Sequence, residues 1–106
     1  MPSADTLRPA GVRQLVLQGQ IGPDPKYHAR QHHLRFEQIT ILLSGCFRVE
    51  KDKRVDSSGA PRHHQGYVAF AQDWRGTVFR VDFNYGTDAL LNPFLFVVTA
   101  MELGEN

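Results

Sequence analysis

Apolar positions recur at helical spacing in the first half of the chain and alternate in the second. Val12, Leu15 and Val16 share a face of a helix read over residues 6–18, with Pro9 in its first turn and Gly19 stopping it. Gly22-Pro23-Asp24-Pro25 reads as a break, after which Asp24 caps a second helix with Pro25 at its first position. That helix runs to Leu34, and Leu34-Arg35 is a short kink. A third set, Phe36, Ile39, Leu42 and Leu43, has helical spacing and ends at Ser44-Gly45. From there the period changes. Residues 46–51 alternate as a strand, 56–61 are a loop by composition, and 66–71 are a second strand. Asp73-Trp74-Arg75-Gly76 is a turn into a third strand, 77–83, with Val78, Arg80 and Asp82 on one side and Phe79, Val81 and Phe83 on the other. A polar loop around Gly86 and Asn92-Pro93 leads to residues 94–100, apolar enough to read as a strand buried on both faces. Helices first and hairpin-linked strands second predict an α+β domain. Two to three N-terminal helices are expected on one face of a twisted, roughly four-stranded antiparallel sheet.

The 106 residues make one domain, 1–106, with a structured core expected over about 10–103 and residues 1–9 outside it. Hydrophobic residues at 42% and charged residues at 22% exclude a wholly disordered or collagen-like chain. No apolar run approaches the ~20 residues that span a bilayer, so no membrane partner is expected. The N-terminus lacks the basic and apolar regions of a signal peptide, and a cytoplasmic home is expected. The single Cys46 cannot form an internal disulfide and is expected to serve as a small buried hydrophobe.

Charge changes this picture by its distribution. Between residues 26 and 54 lie seven basic residues (Lys26, Arg30, Arg35, Arg48, Lys51, Lys53, Arg54) against three acids, whereas 87–106 hold three acids and no Lys or Arg. A chain with a net charge of only +1 can therefore still present a basic patch to a polyanion. Metal-free RNA cleavage needs a base, an acid and cations around the developing phosphorane charge. Histidine and arginine suit those tasks, and His28, Arg30, Arg35, His63, His64, Arg75 and Arg80 supply both. His28 and His32 sit four apart and share a helix face, the spacing of a metal chelate, but no His-Glu-x-x-His signature accompanies them and no metal or other cofactor is expected. Trp74 either stacks on a base or covers the edge of the core, and turn-level packing is the default expectation.

The order of His28-Ala29-Arg30, Leu34-Arg35-Phe36-Glu37-Gln38-Ile39, Leu43-Ser44-Gly45, Gly66-Tyr67-Val68-Ala69-Phe70, Phe79-Arg80-Val81 and Val97-Val98-Thr99-Ala100 resembles a family of small bacterial proteins of unknown function. That family looks related to the RelE/ParE and BrnT toxin superfamily. The resemblance covers roughly residues 12–103. It implies a RelE/barnase-like fold and a toxin-like, metal-independent endoribonuclease paired with an antitoxin protein. It further implies His28 as general acid or base, Arg30 and Arg80 as phosphate ligands, and Thr99 as a hydrogen-bonding orienter. Lys26, Arg35, Arg48, Lys51, Lys53, Arg54 and Arg75 would then hold RNA. The chain departs from the family pattern at His32-His33-Leu34-Arg35, at Met101 in place of an aromatic, and in the long polar stretch 53–63. The alternative is a non-enzymatic interaction domain, of phage or mobile-element origin, that binds a protein or a nucleic acid. The oligomeric state stays open.

Overall fold

The computed structural model describes residues 7–25, 34–60 and 66–105. Helix α1 spans Pro9–Leu17 and is followed by strand β1, Ile21–Pro23. Helix α2 spans Phe36–Leu43, and four strands complete the chain: β2 Arg48–Lys51, β3 Gly66–Gln72, β4 Thr77–Thr87 and β5 Pro93–Glu105. They form one sheet in the order β1-β5-β4-β3-β2, in which β1 is parallel to β5 and every other neighbour is antiparallel. The domain is α+β, but its sheet has five strands and is mixed. This corrects the roughly four-stranded antiparallel sheet of RelE/barnase-like type expected from the sequence.

The strand that sequence reasoning missed is β1. It is three residues long, too short to show alternation, and it contains Gly22 and Pro23, which read as a break. Both fit an edge position. Pro23 has no N–H to donate to a ladder, which an edge strand tolerates, and a Cβ on Gly22 would lie 3.1 Å from the Phe94 ring. The preceding helix ends as its Gly19 predicts. Gly19 has φ +73, its N–H donates to Val16 O at 3.0 Å, and Gln20 N–H donates to Leu15 O at 2.9 Å, the two bonds of a Schellman stop. At the start of α2 the Gln38 side chain accepts the Arg35 N–H at 2.8 Å, closing one orphan donor.

Both helices lie on one face of the sheet. Val12 and Leu15 of α1 and Ile39, Leu42 and Leu43 of α2 meet Tyr67, Ala69, Ala71, Phe79, Val81, Phe83, Leu95, Val97 and Ala100. The fully buried alanines at 69, 71 and 100 let the helices approach the strands closely. Cys46 is buried, with its thiol toward Pro9 O and its own carbonyl accepting Arg13 Nη1 at 2.8 Å. Burial pushes that thiol's pKa up, against the opposing pull of Arg13.

Strand β5 is not buried on both faces. Its partners step from Thr99 opposite Asp82 to Val97 opposite Phe83, so Val98 is an extra residue. The bulge shifts the phase, and Leu95, Val97 and Ala100 all reach the core although their numbers change parity. Phe94 and Phe96 face the other way, 4.7 Å apart, and are only partly covered. The stretch around Gly86, expected as loop, continues β4 to Thr87.

The β4–β5 turn is built around Asp88, whose Oδ1 accepts the N–H groups of Leu90 and Asn92, both at 2.9 Å. The Asn92 bond, and then the Gln20 side chain, hold the Asp88 carboxyl below its ordinary pKa. Leu91 pays a backbone cost in this turn, with φ +66 and a side chain 79% exposed. Leu91→Gly is expected to stabilise the domain by about 1 kcal/mol, because glycine adopts this conformation without the Cβ clash. Thermal denaturation checks it: the midpoint should rise by several degrees for a domain of this size.

Candidate nucleic-acid interface

The helices leave the second face of the sheet uncovered by any described helix. Cross-strand register arranges its side chains in rows. The first row runs Arg48, Phe70, Arg80 and Met101 across β2 to β5. The second runs Glu50, Val68, Asp82 and Thr99. Asn84 and Phe96 continue the pattern on β4 and β5. Alternation in β4 produces this division, with Phe79, Val81 and Phe83 in the core and Arg80 and Asp82 on the open face.

Two carboxylates organise the arginines. The Asp52 side chain is 2% exposed and accepts Arg54 Nε at 3.0 Å on Oδ1 and Nη2 at 2.7 Å on Oδ2. The Asp82 side chain is 5% exposed and is shared. Its Oδ2 accepts Arg54 Nη2 at 3.0 Å and its Oδ1 accepts Arg80 Nε at 2.9 Å. The Asp52 hydrogen bond, more than the opposing burial, drives the Arg54 pKa above its already high ordinary value. These bonds leave Arg54 Nη1 and both Nη atoms of Arg80 without a partner among the described residues. The bidentate Asp52 anchor fixes the plane of the Arg54 guanidinium, a single Nε bond to Asp82 orients that of Arg80, and the remaining N–H groups of both are left for an incoming anion.

The anchored arginines border a depression of about 760 Å3, lined also by Glu50, Lys51, Asp52, Lys53, Val68 and Phe70. Arg48 stands beside it, with its guanidinium 5.7 Å from the Phe70 ring centre and ion-paired to Glu50. The lining holds four cations against two carboxylates, or three with Asp82 beneath them. Its chemistry is therefore that of preorganised donors rather than of a strong net field.

Of the sequence-derived site residues, Arg80, Arg54, Lys51 and Lys53 surround the depression. Arg48 joins their face, and Thr99 pairs with Asp82 on the adjacent strand. Lys51 contributes to the rim, while its ammonium lies 4.8 Å from the Tyr67 ring centre. Two cations stand apart from the depression. Arg35 precedes α2, and Arg75 sits on the β3–β4 turn, bound to Asp73 at 3.1 and 3.3 Å. His28, Arg30 and Lys26 lie outside the described residues, as do His32, His33, His63 and His64. Trp74 is 92% exposed beside Arg75, which corrects the expectation that it packs within its turn.

Sequence reasoning missed Asp52, Asp82 and Phe70. The Arg80–Asp82 spacing in one alternating strand was a usable signal for an ion pair. The Arg54–Asp82 contact spans 28 positions and leaves no such trace. Among the described residues no group of three His, Cys, Asp or Glu could hold a metal ion. No described helix is long and apolar enough to cross a membrane. The chain matches no family model, and no similar curated protein or solved structure was found.

Proposed function

We propose that this protein binds single-stranded RNA on the open face of its sheet. The observation that carries the reading is the pair of guanidiniums, Arg54 and Arg80, locked by one buried carboxylate at the rim of an open depression. Unused N–H groups held in place bind phosphate oxygens without a further ordering cost. Phe70 in the same row, with Phe94 and Phe96 farther along the face, offers rings on which unpaired bases stack. A cytoplasmic location goes with this reading.

The toxin-like endoribonuclease reading adds a cleavage step to this binding. What favours it is the gathering of Arg80 and Thr99 on the face that carries the depression. In that reading His28 moves the proton, Arg30 and Arg80 hold the phosphate, Thr99 orients it, and an antitoxin is the protein partner. RNA cleavage by purified protein in EDTA, abolished by His28→Ala, tests the step; intact RNA under those conditions rejects it.

Binding is tested separately, by anisotropy titration of a fluorescein-labelled, unstructured oligoribonucleotide. Arg80→Gln is expected to weaken binding by about tenfold, the loss of one charge-assisted phosphate contact. It should also flatten the slope of log K against log salt by about 0.7, the value for one phosphate on a single strand. Equal affinity and slope in the variant would exclude Arg80 from the interface.

A further inference from the structure

We infer that β2 is a self-complementary edge through which two copies of this chain join their sheets. The inference stands apart from the RNA reading. Strand β2 ends the sheet, with β3 on one side and no described strand on the other. Asp52 N–H donates to Gly66 O at 2.9 Å, so the even-numbered residues of β2 turn their backbone groups toward β3. The odd-numbered residues, Val49 first among them, turn N–H and C=O outward. An open edge of this kind is a template for another strand.

Its charges select the occupant. Arg48 and Glu50 flank Val49 on the open face. A second copy running antiparallel about a two-fold axis at Val49 exchanges both backbone bonds between the two Val49 residues. Arg48 of each copy then stands opposite Glu50 of the other. These are non-hydrogen-bonded positions, where facing side chains are closest. The Arg48–Glu50 pair within each strand becomes part of a ring of four alternating charges.

The other symmetric registers fail. An axis at Arg48 opposes two arginines, and one at Glu50 opposes two glutamates. An axis at Lys51 opposes Glu50 to Asp52. The register at Val49 satisfies the outward backbone groups of Val49 and the charges together. The contact is isologous, so it closes as a dimer and does not propagate. It would continue the Arg48–Phe70–Arg80 row of one sheet into the Glu50–Val68–Asp82 row of the next.

Sedimentation equilibrium of the full chain over a concentration series tests this. Wild type is expected to pass from monomer to dimer mass as concentration rises. Arg48→Glu places two like-charge pairs across the axis, and Glu50→Arg does the same with the opposite sign. Each alone should weaken the dimer by about tenfold or more. Mixing the two variants should restore it, because the two acidic side chains flanking Val49 in one copy then face the two basic ones in the other. Circular dichroism of each variant verifies that the exposed substitutions leave the fold intact. Wild type that stays monomeric throughout, variants that associate as wild type does, or a mixture that associates no better than its components would each overturn the inference.

Discussion

Replacing Asp82 by alanine is expected to lower the free energy of unfolding by about 3–5 kcal/mol, the cost of breaking a buried ion pair from one side. Asp82 accepts from two arginines at 2.9 and 3.0 Å, and its side chain is 5% exposed. Arg54 keeps Asp52 in the variant. Arg80 loses the carboxylate that holds its Nε, and its side chain is only 24% exposed. Removing both members of a pair is a different experiment. Arg80→Met combined with Asp82→Leu leaves no orphaned charge on that side and should cost less than Asp82→Ala alone. Urea denaturation of the three proteins decides. If the double variant is the least stable, the carboxylate contributes to stability by a route other than its pairing with Arg80.

Phe83→Ala carries a loss of similar size, about 3–5 kcal/mol, for a different reason. Phe83 is 1% exposed, is the largest of the fully buried side chains, and stacks on Tyr67 at 5.9 Å between ring centres. Its removal opens a cavity where helices and sheet meet, and close packing around it limits collapse. Domains are stable by only about 5–15 kcal/mol, so this one change removes a large share of the total. Calorimetry should show a midpoint roughly 15–30 °C lower, and Phe83→Leu should recover much of it. A drop of a few degrees would mean that the residue is poorly packed.

Local signals in the sequence were sufficient where one element alone decides. Gly19 stops α1, Ser44-Gly45 follow α2, and the alternation of residues 77–83 assigns Arg80 and Asp82 to one face and Phe79, Val81 and Phe83 to the other. Features that depend on a second element were not legible. Three residues at 21–23 become a strand only because β5 offers them a parallel edge. The apolar run at 94–100 reads as doubly buried until the extra residue at Val98 shifts its phase. The site behaved in the same way. Its cations could be named from charge alone. Their anchoring by Asp52 and Asp82 depends on the chain returning across the open face, with the Arg54–Asp82 contact 28 positions apart. That anchoring turns what looked like a basic stripe into a weakly charged face with oriented donors.

Binding of RNA to the open face is tested most directly by mapping where RNA touches the protein. A 15N-labelled sample titrated with an unstructured oligoribonucleotide gives that map from its amide shifts. The predicted result is movement concentrated at residues 48–54, 68–70, 80–84 and 96–101, with the side-chain Nε–H signals of Arg54 and Arg80 following. Amide shifts confined to α1 and α2, or no shifts at a saturating RNA concentration, would contradict it.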